Sequence, residues 1–176
     1  SIHCEVYEER GATLVSVIAA DHPGLFSRIA GGIHLAGANI IDARIHTTSS
    51  GYAVDNFLVQ DLHNQPFREA NQITRLKKAI EDALLAKLEL VPKLAARPLP
   101  HSRASSFDVA PRVTFDNSAS NRFTVIETSA RDRPALLNRL AYALFKANLI
   151  VHSAHITAYG EMAVDTFYVT DLTGSK

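Results

Sequence analysis

The chain is 176 residues long, with 47% apolar residues and eighteen basic side chains balanced by eighteen acidic ones. That length suits one large or two small domains, and zero net charge gives no electrostatic pull toward nucleic acid or an anionic membrane. No apolar run approaches the roughly 20 residues of a membrane helix. The start, Ser1-Ile2-His3-Cys4-Glu5, lacks signal-peptide features, and the single cysteine excludes an internal disulfide framework. A soluble, cytoplasmic chain is the expectation.

In chain order, His3–Tyr7 reads as an extra strand, and residues 13–20, rich in Val, Leu and Ile, as a buried strand. Leu25, Phe26, Ile29 and Ile33 follow at helical spacing, closing at Gly37. Residues 40–47 alternate, with Ile41, Ala43 and Ile45 on one face and Asp42, Arg44 and His46 on the other. A Thr-Ser-Gly turn leads to a third strand over 52–60, and Ile73, Leu76, Ile80 and Leu84 mark a second helix. Pro92, Pro98, Pro100 and Pro111 among Ala, Ser and Arg read as a linker.

The pattern then repeats. Asp21-His22-Pro23-Gly24-Leu25-Phe26-Ser27-Arg28-Ile29-Ala30 returns 111 positions later as Asp132-Arg133-Pro134-Ala135-Leu136-Leu137-Asn138-Arg139-Leu140-Ala141. Val54-Asp55-Asn56-Phe57-Leu58-Val59 returns as Val164-Asp165-Thr166-Phe167-Tyr168-Val169. Arg112–Phe115 stands upstream of the second copy as His3–Tyr7 does upstream of the first. The boundaries expected are a first unit over 1–91, a linker over 92–111 and a second unit over 112–176. No counterpart of the second helix precedes Lys176, so the parent chain is expected to continue. Helices connecting over one face of an antiparallel sheet give an α+β class, here two ferredoxin-like two-layer sandwiches joined edge to edge.

Chemistry concentrates in the loop before each first helix. Pro23 and Pro134 fit a first helical turn, and Asp21 and Asp132 fit the cap region. Gly24 lets backbone approach a neighbour closely. One reading is a well-capped helix start. The other is a ligand site, with free N–H groups gripping a carboxylate and an Asp receiving an ammonium group. Occurrence of the loop in both copies favours the ligand site, and the pairing of charges describes a free amino acid.

The Asp-x-Pro-Gly-Leu loop, with Gly37-Ala38-Asn39-Ile40 opening the second strand, resembles the ACT domain family of amino-acid-sensing regulatory modules. The tandem arrangement, with Phe115-Asp116-Asn117 and Val164–Asp171, is similar to the C-terminal region of bacterial PII uridylyltransferase/uridylyl-removing enzymes. The resemblance implies a ferredoxin-like fold and a ligand, glutamine first, at an interface between units. It implies as partners the catalytic domains of a parent nucleotidyltransferase and, through them, the PII protein. The site residues it implies are Asp21, His22, Pro23, Gly24, Leu25, Asn39 and Ile40 in the first unit. In the second they are Asp132, Arg133, Pro134, Ala135, Leu136 and Ile150. Asp21's loop is expected to face Ile150, and Asp132's loop to face Asn39. Ala135 and Ile150 depart from the pattern, so the two sites should differ.

Other signals read as structural. Asp55 and Asp165, by alternation on the inner face of their strands, are expected to pair with an arginine in preference to a ligand role; Arg28 and Arg139 also recur in the repeat. His152 and His155, on opposite strand faces, do not suit a shared metal; His34 and His46 are scattered, and His22 alone could touch a ligand. Cys4 has no histidine partner for nucleophilic work. No catalytic, metal or cofactor pattern stands out, so the fragment itself is not expected to be an enzyme. The alternative function is a ligand-free module docking the parent's catalytic domains or a protein partner. RNA binding is disfavoured by Asp42, Arg44 and His46 on the open face, and self-association stays open.

Overall fold

The computed structural model describes residues 1–85, 110–132, 136–159 and 161–176. The expected linker falls outside the described residues up to residue 109, as do Arg133, Pro134 and Ala135. The first half contains β1 (Ile2–Tyr7), β2 (Ala12–Ala20), α1 (Leu25–Leu35), β3 (Asn39–Thr47), β4 (Tyr52–Gln60) and α2 (Ala70–Leu84). The second contains β5 (Arg112–Asp116), β6 (Thr124–Arg131), α3 (Leu136–Lys146), β7 (Ile150–Tyr159) and β8 (Met162–Thr170). All eight strands form one antiparallel sheet in the order β1-β2-β4-β3-β7-β8-β6-β5. The first half is thus the ferredoxin-like arrangement anticipated, with its outer strand supplied from upstream, and the second repeats it with one helix among the described residues. No helix among the described residues is long and apolar enough to cross a membrane.

Alternation builds the core. Val15 and Val17 on β2, Phe57 and Val59 on β4, and Ile29 and Ile33 on α1 are almost completely buried together. Phe167 and Val169 take the places of Phe57 and Val59 in the second copy. Gly32 explains how closely α2 crosses α1: a Cβ there would lie 2.9 Å from Ala79 O and from Ile80 Cα. Thr13, fully buried, ties the loop before α2 to the sheet; its Oγ1 accepts from Phe67 N at 2.8 Å and donates to Phe67 O at 3.2 Å.

The sequence alternation over β3 needs one correction. Register shifts between Ile40 and Asp42, and in β7 between Val151 and Ser153, mark one bulge in each copy. The extra residue reverses the pleat, so Ile40 rather than Ile41 joins the core with Ala43.

The two halves meet about a pseudo-twofold axis. At the seam Ala43 pairs with Ala154, flanked by Asp42 with His155 and Arg44 with Ser153. Ala43 and Ala154 are equivalent positions in the repeat, as in a self-complementary interface. Above them α1 touches α3 through another equivalent pair. Asn138 Nδ2 donates to Ser27 O at 2.6 Å, and both side chains are buried. His155 Nδ1 also lies 3.8 Å from Asp42 Oδ1 on the seam.

Candidate functional site

The loop after β2 starts α1 differently from the expected cap. Helix α1 begins at Leu25, one residue after Gly24, whose φ of 83° and ψ of 2° lie in the left-handed region. Leu25 N donates to His22 O at 3.1 Å, closing a turn over His22-Pro23-Gly24-Leu25. Proline followed by a left-handed glycine is the sequence demanded by a type II turn. Pro23 therefore precedes the helix, and no side chain caps it. Asp21 is held from elsewhere: its N–H donates to Gly51 O at 2.9 Å, and Thr47 Oγ1 donates to its carboxylate at 2.9 Å. The structure therefore corrects the cap expected of Asp21 and the first-turn place expected of Pro23. Left over are the backbone N–H groups of Gly24, Phe26 and Ser27, which no described protein group accepts.

These groups open into a cleft of about 340 Å³ at the junction of the two halves. One wall is Asp21 to Ser27, with Ile45, Thr47 and Asp55 beneath. The opposite wall comes from the second half: Ala141 and Phe145 on α3, Asn148 to His152 at the start of β7, and Leu172. Of the residues singled out in the sequence, Asp21, His22, Pro23, Gly24, Leu25 and Ile150 are brought together here. Asn39 is exposed at the head of β3 and Ile40 lies in the core, both away from this cleft. Leu136 heads α3 outside it, and exposed Asp132 donates its N–H to Glu161 O at 2.8 Å, as Asp21 does to Gly51.

Asp55 changes the character of the site. It is 1% exposed, and among the described residues neither carboxylate oxygen has a hydrogen-bond partner. Among the described residues the expected arginine pair does not form; Asp55 stands on β4 between Val17 and Ile45, which offer only apolar side chains. Burial, then the nearby Asp21 carboxylate, pushes its pKa up to about 7. The His46 backbone amide opposes this rise without reaching hydrogen-bond geometry. Asp165 repeats the situation: 2% exposed, one oxygen unpartnered, and raised to about 7 by burial and by Asp132. Two carboxyls held this way in equivalent places carry protons near neutrality that ordinary aspartates would have lost.

Sequence reasoning missed Asn148, Phe145 and Thr47. Asn148 adopts a φ of 59°, occupying the place that Gly37, φ 84°, holds in the first copy. Its exposed amide stands at the cleft wall with no side-chain hydrogen bond among the described residues. Aligning the two copies one turn further would have flagged an asparagine at a left-handed position. His152 Nε2 lies 2.9 Å from Thr170 Oγ1 and its ring rests on Phe123, 4.9 Å between centroids. Burial and then Arg122 lower its pKa, so it is neutral near pH 7. The Cys4 thiol, half-buried in β1, is raised by burial and keeps its proton.

The chain is 72% identical over all 176 residues to the bifunctional uridylyltransferase/uridylyl-removing enzyme of Erythrobacter litoralis. It is 71% identical over the same length to that of Novosphingobium aromaticivorans. With the Zymomonas mobilis enzyme it shares 52% over 166 residues, 94% of this chain. The chain spans 19% of the length of the first two relatives and 18% of the third. No protein-family model matches it. A solved structure described as a putative glycine cleavage system transcriptional repressor covers 93% of this chain, and is itself covered to 81%, at 15% identity and a TM-score of 0.31. That overlay is too loose to bear on function.

Proposed function

We propose that this chain, a homologue over its full length of one region of the bifunctional uridylyltransferase/uridylyl-removing enzymes, is their amino-acid-sensing tandem ACT pair. Its ligand, L-glutamine first, sits in the cleft where the two copies meet. The observation that carries this reading is the wall-to-wall arrangement. Unclaimed amides of Gly24, Phe26 and Ser27 and the Asp21 carboxylate on one unit face Asn148 and Ile150 on the other. Amides at a helix start suit a carboxylate, and the two aspartates lining the same cleft, Asp21 and Asp55, give it the negative charge that suits an ammonium group. Together they fit a zwitterion rather than a simple anion or cation.

Such a ligand touches both units, so it favours whichever arrangement of α1 against α3 shapes the cleft best. A regulatory effect needs that preference. In the whole enzyme the shift would pass to the catalytic domains and set the balance of uridylylation and removal on the PII protein, in the cytoplasm. Among the carboxamide donors and acceptors available, Asn148 is the group best placed to read a side-chain amide.

Calorimetric titration of the chain with each of the twenty L-amino acids tests the reading. Binding of L-glutamine at one site per chain, with a thermal shift that grows with concentration, is expected. Mass action at ten times Kd stabilises by about 1.4 kcal/mol. Heat from none of the twenty, with no shift at millimolar concentration, overturns it.

A docking reading also has an observation in its favour. Val113 and Phe115 on β5 are 53% and 69% exposed on the side of the sheet that α2 covers in the first copy. An apolar strip of this kind suits contact with another domain of the parent enzyme. The two readings occupy different surfaces and are compatible.

A further inference from the structure

We propose that Asp55, on the floor of the inter-unit cleft, is the specificity-determining acceptor for the ligand's ammonium group and releases a proton when the ligand enters. The proposal rests on the sensing role above and assigns a group to it. Three observations bear on it.

The first is burial without a partner. A carboxyl at 1% exposure whose oxygens have no partner among the described residues is costly in a folded interior, and a structural aspartate would have gathered a hydroxyl, an amide or an arginine. The two hydroxyls lining the cleft are engaged elsewhere, Thr47 with Asp21 and Ser27 with Asn138 O. The second is placement: Asp55 lines the same cleft as the open amides of Phe26 and Ser27. A ligand whose carboxylate meets those amides brings its α-ammonium within the same small volume. The third is the difference between the two aspartates. Asp21 is exposed and already accepts a hydrogen bond, so an ammonium gains little from it beyond charge. An ammonium over Asp55 supplies the pairing that the interior lacks.

In the empty cleft Asp55 carries its proton up to about pH 7. The incoming ammonium keeps its own proton and needs a carboxylate opposite it. The carboxyl O–H therefore ionises to solvent as N–H···O bonds form, and one proton leaves per ligand below pH 7. The other titratable groups facing this space are Asp21 and His22 from the loop and His152 from β7. The neighbouring strands contribute Val17 and Ile45, and α1 contributes Phe26 and Ser27, none of them titratable. Asp21 raises Asp55 by repulsion, and His152 is neutral near pH 7.

The experiment is titration of the chain and of Asp55→Asn with L-glutamine and with its deaminated analogue 4-carbamoylbutanoate. Each is run at pH 6 and 8 in two buffers of different ionisation enthalpy. The variant's fold is checked by circular dichroism and by a thermal melt. In the parent chain, expected results are at least tenfold weaker binding of the analogue and release of nearly one proton per glutamine at pH 6, falling toward none at pH 8. In Asp55→Asn, glutamine weakens to the analogue's level, the analogue is unaffected, and proton release disappears. Equal weakening of both ligands marks a merely structural aspartate and overturns the proposal. Unchanged glutamine affinity, or proton release that survives the substitution, overturns it too while leaving the sensing role intact. Absence of glutamine binding to the parent chain overturns both.

Discussion

Replacing Asp55 by asparagine should stabilise the ligand-free protein, and by an amount that depends on pH. Asparagine stands in for the protonated acid in size and in lacking charge. Asp55 sits at about 7 in the folded chain against an ordinary 3.8. Between those values the folded state keeps a proton that the unfolded state has lost, so stability falls as pH rises and levels off above 7. At ~1.4 kcal/mol per pH unit, that gap corresponds to a ceiling of about 4 kcal/mol. Urea unfolding at pH 4.5, 6 and 8 measures it. Asp55→Asn is expected to exceed the parent protein by only about 1 kcal/mol near pH 4.5 and by up to about 4 kcal/mol at pH 8. Asp165→Asn should behave alike, because burial and Asp132 raise Asp165 in the same way. The lowered carboxyls Glu8, Asp116 and Asp171 lose their contributions only as pH falls toward the acid range, outside this window. A difference between variant and parent that is the same at pH 4.5 and pH 8 would falsify the claim that Asp55 is buried and unpaired.

Asp21→Asn removes the charge that adds to the rise of Asp55, so the fall of stability with pH should level off at a lower pH than in the parent; the same denaturation series checks this. Gly32→Ala places a Cβ 2.9 Å from the α2 backbone at Ala79 O and Ile80 Cα; a net loss of roughly 1–2 kcal/mol is expected after the helix-propensity gain, seen as a melting point several degrees lower. Thr13→Val strips the partner from both Phe67 N–H and Phe67 O in the core, which should cost about 1–3 kcal/mol by urea unfolding.

Periodic features were open to sequence reading because periodicity is set by local geometry. Tyr52 to Gln60 reads as a strand and is one, and the upstream strands at His3 and Arg112 lie on the outer edges of the sheet. The bulges at Ile41 and His152 were not legible, since one extra residue leaves the apolar letters unchanged while reversing the pleat. The cap expected of Asp21 failed for a related reason. Pro23-Gly24 satisfies a helix start and a type II turn equally well, and Thr47, twenty-six residues away, decides between them. Gly32 carries a similar lesson: α2 crosses it, whereas its counterpart, Ala143, is exposed with no described helix across it. Asp55 was assigned to the inner face correctly, yet its lack of a partner depends on side chains from three strands and a loop. The cleft itself needed residues from both copies. The repeat placed Ile150 opposite Asp21, and only the fold placed Phe145 and Asn148 there.

A crystal structure of the chain grown with L-glutamine addresses the amino-acid site most directly. The ligand's carboxylate is expected against the backbone N–H groups of Phe26 and Ser27, with its side-chain amide toward Asn148. Density for glutamine on the outer sheet face, or along β5, with the space between Gly24 and Ile150 unfilled, would contradict the account.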